Sequence, residues 1–365
     1  VRRIAEEAIA PRAQHYDKSA EFPWDNVEAL RAIGLNAVFV PEDYDGAPLS
    51  YAAYLESVKI ISAACAATGI IYATNFHGMK PLIDFGTHEQ KQRLLPCIAH
   101  GGLASLVITE PAAGSDATQM TTRFEPVGDD IVINGTKTFI TSGDVADRLL
   151  LFGKWSTIDD ARGAISALIV EKGVAGLSVE RLEDKMGIRA SSTATLRFED
   201  CRVPRANLLG EPGDGLKILL SSLNKSRPSI AAHALGIARA AFDEMVRYIN
   251  QREQFGRAVL DFQGNQFIVA DLAAELAMCE AWVDHVAALI DSGAPAYGVE
   301  ASIAKLRASD LAMKMTVEAV QMHGGYGFIK DYPVERLMRD AKITQIWEGT
   351  NQLHRQFIGR SFRTR

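Results

Sequence analysis

Apolar positions recur at helical spacing through about residue 102. They turn to short alternating runs from about 103 to 211, and return to helical spacing in longer pieces from 212 onward. In the first zone the pattern predicts helices over Val1 to Ala10, Asp25 to Ile33, Ser50 to Ala66 and Thr68 to Phe85. Asp25 is read as a capping carboxylate, with Pro23 just ahead of it. Thr87-His88-Glu89-Gln90 is a capping box that opens another helix toward Ala99. Val1 already falls inside a helical pattern, which implies a short piece of chain ahead of it. In the second zone Asp130 to Ile133 is β-prone and ends in Asn134-Gly135, the strongest short-range hairpin signal, so Lys137 to Thr141 is read as the returning strand. Leu149 to Phe152, Ala164 to Val170 and Thr193 to Phe198 are further strands, the last with Ala194, Leu196 and Phe198 on one face. In the third zone Ile230, Ile237, Met245 and Ile249 mark one helix. Phe267, Leu272, Leu276 and Leu289 mark a second, stopped by Ser292-Gly293. A third runs from about Ala296 to Met322, and a last follows Thr350. The expected architecture is α+β: an N-terminal helical domain (1–102), a compact antiparallel β-barrel or sandwich (103–211), and a C-terminal four-helix bundle (212–365).

Composition adds exclusions. With 365 residues, 47% hydrophobic and 23% charged, the chain is an ordinary globular protein large enough for two or three domains. A net charge of −6, with acidic and basic residues nearly balanced after Gly213, argues against a nucleic-acid surface. No apolar run is long enough for a membrane span, and no secretory signal pattern is present. Cys65, Cys97, Cys201 and Cys279 show no metal-ligand spacing and read as reduced thiols. That fits the cytoplasm of a bacterium, or the mitochondrial matrix of a eukaryote.

The stretch from Met338 to Gln352 carries the chemistry. It sets one carboxylate, Glu348, beside Ile346 and Trp347 and ahead of Gly349. Burial beside apolar groups disfavours a charged carboxylate, and so makes a better base near neutral pH. Gly349 frees the backbone to turn or to approach a ligand, and Thr350 can cap the helix beyond. Taken alone, Glu-Gly-Thr reads more readily as a surface carboxylate at a helix start.

Four motifs in order change that reading. They are Leu106-Val107-Ile108-Thr109-Glu110-Pro111-Ala112-Ala113-Gly114-Ser115-Asp116, Lys185 to Thr193 with Phe198 to Pro204, Gln321-Met322-His323-Gly324-Gly325-Tyr326-Gly327, and Arg339-Asp340-Ala341 to Gln352. Together they resemble the acyl-CoA dehydrogenase family over nearly the whole chain, with some likeness to its short-chain members. Ala112 stands where the family has its first glycine. The resemblance implies α,β-dehydrogenation of an acyl thioester, on coenzyme A or an acyl-carrier protein, to the trans-2-enoyl product. It implies FAD as hydride acceptor, an electron-transfer flavoprotein as electron partner, and a homotetramer built as a dimer of dimers.

Residue by residue, the resemblance makes Glu348 the base. Its backbone N–H, with a ribityl hydroxyl, would polarise the thioester carbonyl. Leu106, Ile108, Thr109, Ser115, Phe139, Ile140 and Thr141 would contact flavin, Phe139 by covering it. Arg252, Phe255 and Gln263 would reach the FAD of a neighbouring subunit, with Gln321, Gly324 and Gly325 near its diphosphate and Thr350 and Gln352 near adenosine. Ser115, Asn224, Arg227, Trp347 and Gly349 would bind substrate. Some family members carry the base where this chain has Ser226, which cannot serve. Several assignments have plain alternatives: Gly324-Gly325 as a helix C-cap, Arg252 and Arg227 as solvated helix charges, Thr141 as a strand threonine. His77, His323 and His354 have no nucleophile or metal partner in the sequence and read as structural. Acyl length would be set between Tyr72 to Met79 and the segment near Ser226, with a short or branched acyl group expected. Two other functions are weighed: a same-fold flavin oxidase or monooxygenase, and a DNA-binding branch of this fold.

Overall fold

The computed structural model describes residues 1–363 and shows helices, then strands, then helices. The N-terminal part holds α1 (Arg2–Ile4), α2 (Ala13–Ser19), α3 (Trp24–Arg31), α4 (Tyr51–Ala64), α5 (Ala66–Phe85) and α6 (His88–Ala99). Between α1 and α2 the helix tightens and loosens through a π-turn, Ala5–Ile9, and a 3-10 turn, Ala10–Arg12, where Pro11 lacks an amide donor. The Thr87 capping box forms as expected, with Gln90 N donating to Thr87 Oγ1 at 3.2 Å and Thr87 N donating to Gln90 Oε1 at 3.0 Å. Asp25 does not cap. Helix α3 starts at Trp24, with Pro23 at the cap position two residues ahead of Asp25, and Asp25 lies in its first turn, where a negative charge still suits the dipole.

The middle part is one eight-stranded sheet. Its strands are β1 (Ala104–Val107), β2 (Arg123–Val127), β3 (Asp130–Thr141), β4 (Arg148–Trp155), β5 (Ile165–Glu171), β6 (Leu177–Leu182), β7 (Thr193–Pro204) and β8 (Leu208–Leu209). They run in the order β6-β7-β3-β2-β4-β5-β8, with β1 on β4. The pairing is mixed rather than antiparallel, because β1 and β2 both lie parallel to β4. Strand β4 is buried on both faces: Leu149 and Leu151 pack inside the β-unit, and Leu150 and Phe152 pack toward Met79 and Leu82 of α5.

Asn134-Gly135 is not a hairpin turn. Strand β3 runs straight through it, paired with β2 on one side and β7 on the other, and the turn is at Gly128-Asp129. A register shift falls at Gly135, where a Cβ would lie 2.5 Å from Thr122 Oγ1, so the glycine serves a close approach inside a bulged strand.

The C-terminal part holds α7 (Gly215–Gln251), a short hairpin of β9 (Glu253–Gln254) and β10 (Arg257–Ala258), and helices α8 (Gln263–Asp291), α9 (Gly298–His323), α10 (Val334–Lys342) and α11 (Asn351–Ser361). Ile230, Ile237, Met245 and Ile249 are buried as the pattern required, whereas Phe267 is 61% exposed, off the buried face of Leu272 and Leu276. Helices α4 and α5 share one hydrophobic core with α7, α8 and α9. The first and third zones of the sequence therefore pack together, and the β-unit sits against α5. Among the described residues no helix is long and apolar enough to cross a membrane, and no cluster of His, Cys, Asp and Glu could hold a metal.

Candidate active site

Glu348 lies in the turn between α10 and α11, with φ +52° followed by Gly349 at φ +89°. A left-handed non-glycine residue is uncommon and is held here from several sides. His354 Nε2 reaches the Glu348 carbonyl at 3.1 Å. Lys305 Nζ donates to the Gly349 carbonyl at 2.8 Å and to Asn351 Oδ1 at 2.9 Å. Thr350 caps α11, its hydroxyl accepting from Leu353 N at 3.3 Å.

The Glu348 side chain is 15% exposed and turns toward α5 and α7. Ser226 Oγ donates to its Oε2 at 2.6 Å, and His77 Nδ1 stands 3.7 Å from its Oε1. The apolar setting expected from Ile346 and Trp347 is not what surrounds the carboxylate: Ile346 is 49% exposed. Trp347 packs edge-on against His233, with ring centroids 5.5 Å apart, and its indole N–H is buried without a partner. A hydroxyl, an imidazole and, behind the turn, an ammonium surround the carboxylate instead.

Burial lowers the His77 pKa, with the Glu348 carboxylate opposing. Lys305, wholly buried, falls to about 7 for the same reason, again with Glu348 opposing. Burial, with the positive charges of Lys305 and Arg227, takes His354 down to about 3.

A second group of expected residues lies close by. Thr109 and Thr141 are half-buried, and Thr138 N donates to the Thr109 carbonyl at 2.9 Å. Phe139 sits at a register shift of β3 with φ +59° and is 63% exposed, while Lys137 and Thr138 just before it are buried. Ile140 points into the β-core, 2% exposed, so only its backbone is available to a ligand. Leu106 and Ile108 are half-buried and Ser115 is exposed. A chain of contacts joins this patch to Glu348. Ser105 Oγ donates to the Thr141 carbonyl at 2.6 Å, and a Cβ on Gly78 would lie 2.9 Å from Ser105 N. Gly78 thus lets α5, which carries His77, press on β1.

Beneath the patch lies a pair that the sequence reading missed. Glu110, 3% exposed, accepts from Lys137 Nζ at 2.9 Å, Thr121 N at 2.6 Å and Thr122 N at 2.9 Å. Burial pushes Glu110 up, but Lys137 and these bonds outweigh it and hold it at about 2. Lys137 also donates to the Ile108 carbonyl at 2.7 Å, so the pair ties the end of β1 to β3.

The third group is remote. Arg252, Gln321, Gly324, Gly325 and Tyr326 line a concavity of about 440 Å³ where α7 and α9 end. Arg252 stacks on Tyr326 at 5.7 Å. Gly324, at φ +59°, closes α9 as a C-cap, and a Cβ there or on Gly325 would meet open space. Phe255, at φ +52° in the β9-β10 turn, is 94% exposed, and Gln263 is exposed at the start of α8. Sixteen residues of α9 separate Lys305 from Gln321, which is roughly 24 Å at helical rise. Within one chain these residues do not join Glu348. Arg227 is no solvated surface charge: it donates to Asn224 Oδ1 at 3.0 Å, burial lowers its pKa, and its Nε is buried without a partner. Gln352 is exposed.

Family models for the N-terminal, middle and C-terminal domains of acyl-CoA dehydrogenase match residues 1–102, 105–201 and 213–362. The chain belongs to the acyl-CoA dehydrogenase family. It is 43% identical to an acyl-CoA dehydrogenase of Bacillus subtilis, covering 99% of this chain and 95% of that protein. The butyryl-CoA dehydrogenase of Megasphaera elsdenii superposes with TM-score 0.96 at 36% identity, covering 99% of this chain and 95% of that one. A chain in a structure of the electron transferring flavoprotein of Acidaminococcus fermentans superposes with TM-score 0.97 at 41% identity, covering 100% and 96%.

Proposed function

We propose that this acyl-CoA dehydrogenase uses FAD to oxidise a short acyl-CoA to the trans-2-enoyl thioester, with Glu348 as the base and an electron-transfer flavoprotein as electron partner. The observation that carries the reading is the placement of one carboxylate, in a strained and braced turn, where α5, α7 and the β-unit meet. Position 226, the other place where this chemistry could seat a base, holds a serine whose hydroxyl donates to that same carboxylate.

The residues present fit a flavin. An exposed aromatic on a bulge, two half-buried threonines and the end of β1 form one patch beside Glu348. The concavity at Arg252 offers a planar cation and open glycine backbone, suited to a diphosphate. When bound, FAD supplies the acceptor for the β-hydride. Glu348 takes the α-proton, and Ser226 orients the carboxylate. Lys305 and His354 hold the turn that aims it, fixing geometry before reaction.

A short acyl group is favoured because the space past His77 is filled with rings. Phe76 stacks on Tyr54 at 4.5 Å, with Tyr51 at 5.6 Å from both and Phe39 at 5.6 Å from Phe76. Large exposed apolar side chains on the C-terminal part, among them Phe255, Phe328 at 87% and Met278 at 73%, support assembly into a homotetramer in which the Arg252 concavity of one chain completes the flavin site of another.

Anaerobic bleaching of the flavin by straight and branched acyl-CoAs of increasing length tests this reading. Glu348→Gln should keep its yellow FAD and lose about 10²- to 10⁴-fold in bleaching rate. A variant that bleaches at the wild-type rate would remove Glu348 as the base.

A further inference from the structure

His77, read from sequence as structural, is packed between the base and a second serine. Its side chain is 3% exposed, its Nε2 lies 2.5 Å from Ser229 Oγ, and its Nδ1 faces Glu348 Oε1. Ser229 has one hydroxyl proton and donates it to the Ser226 carbonyl at 2.7 Å. The Ser229 oxygen is then left to accept, and the network assigns the imidazole proton to Nε2. Nδ1 therefore presents a lone pair to the carboxyl group of Glu348. A lone pair and a carboxylate make no hydrogen bond, and their 3.7 Å separation is beyond one. A lone pair and a carboxylic acid do make one.

We infer that His77 is a positioning residue that receives a hydrogen bond from Glu348 once Glu348 has taken the substrate's proton. The inference rests on Glu348 being the base. In the step, the Cα–H bond breaks and its proton bonds to a Glu348 carboxylate oxygen. The electron pair left on Cα forms the new π bond, as the β-hydrogen leaves with its own pair for the flavin oxidant. Glu348, now neutral, donates its O–H to Nδ1 of His77, which stays neutral. The acceptor is silent before reaction and engaged after it, so its contribution falls on the proton-transfer step and not on binding.

Groups on the surrounding elements agree with a neutral imidazole. Tyr54 of α4 donates its hydroxyl to the Ala73 carbonyl at 3.2 Å, and burial keeps that phenol protonated. His233 of α7 is pushed by burial to about 4. The positive charges, Lys305 of α9 and Arg227 of α7, interact with Glu348. Burial disfavours imidazolium at His77 itself.

Two variants and one spectrum test the inference. His77→Leu removes the acceptor, and His77→Asn places an amide near the position of Nδ1. At saturating acyl-CoA, Leu should slow anaerobic bleaching at least tenfold while the dissociation constant of the thioester stays within twofold, and Asn should recover part of the lost rate. Bleaching by the Leu variant at the wild-type rate, or a loss confined to thioester binding, would make His77 a mere wall of the acyl site and overturn the inference. Without substrate, the histidine NMR signal lost in both variants should titrate at lower pH in the Glu348→Gln holoenzyme than in wild type, because the carboxylate that favours imidazolium is gone. An unchanged titration would sink the pairing even if Glu348 is the base. Should no acyl-CoA bleach the wild type, the enzymatic reading falls instead, and the NMR comparison still decides whether His77 and Glu348 are coupled.

Discussion

Lys305→Met probes the brace behind Glu348, the proposed base. The Lys305 side chain is wholly buried, yet carries an ammonium group whose bonds go to Gly349 O and Asn351 Oδ1. Burial drops its pKa from the ordinary 10.5 to about 7. Between those two values the unfolded chain binds more protons than the folded one, so this residue makes stability rise with pH through that window. At about 1.4 kcal/mol per pH unit the swing is bounded at roughly 5 kcal/mol, and relaxation makes the measured figure smaller. Methionine does not titrate. It leaves Gly349 O without its donor, while Asn351 Oδ1 keeps Ser309 Oγ at 3.2 Å. One unmatched buried carbonyl costs about 1–3 kcal/mol. At pH 9.5 the variant should be less stable than wild type by about that amount, and at pH 6 the deficit should vanish or reverse. Unfolding midpoints of the FAD-loaded proteins at the two pH values give the comparison, and groups common to both proteins cancel in the difference. A difference independent of pH would refute the account of Lys305 as a buried ammonium.

Gly349→Ala forces a Cβ onto a residue at φ +89°, 3.2 Å from His354 Nε2. Strain of about 1–2 kcal/mol should lower the melting temperature. Displacement of the base should cut bleaching about 10²-fold, and bleaching at the wild-type rate would show that the turn does not aim Glu348. Phe255→Ser removes a ring that is 94% exposed in the isolated chain. Light scattering should show a smaller assembly, and absorbance at the flavin band should show weakened FAD retention. Full mass with full flavin would take Phe255 out of the interface.

Much of the architecture was legible because its signals are local. A capping box such as Thr87 to Gln90 needs only four residues, and the Ser292-Gly293 stop likewise. The misreadings came where a distant partner overrides a local preference. Asn134-Gly135 carries a turn signal, but β7 pairs along both sides of it, through Cys201↔Ile133 and Phe198↔Gly135, and keeps β3 extended. Strand β6 escaped notice because five of its six residues are exposed and show no alternation. No periodicity could reveal that α4 and α5 share a core with α7 and α9, since each helix shows only that it has a buried face.

The site divides along the same line. Glu348 and Gly349 stand out in sequence because a lone carboxylate before a glycine is a local peculiarity. Apart from His354 and Thr350, their supports lie far off in sequence: Lys305 reads as an ordinary helical lysine, and His77 and Ser226 as isolated polar residues. A signal for Lys305 did exist. Ala301, Ala304, Ala308 and Ala312 put small residues around it at helical spacing, with Ser302 and Ser309 three and four positions away. A long cation on so small-sided and apolar a face can remain there only with buried acceptors to meet it, and the turn after Glu348 supplies them. The same reasoning reaches Lys137, whose neighbours Ile133 and Ile140 are buried and whose partner, Glu110, lies in the motif that opens the β-unit. In both places a buried lysine tethers backbone next to a candidate-site residue, Gly349 beside Glu348 and Ile108 beside Thr109. The scaffold thus meets the cost of two buried cations at the two segments where, on the proposed function, displacement of the chain would most damage the reaction.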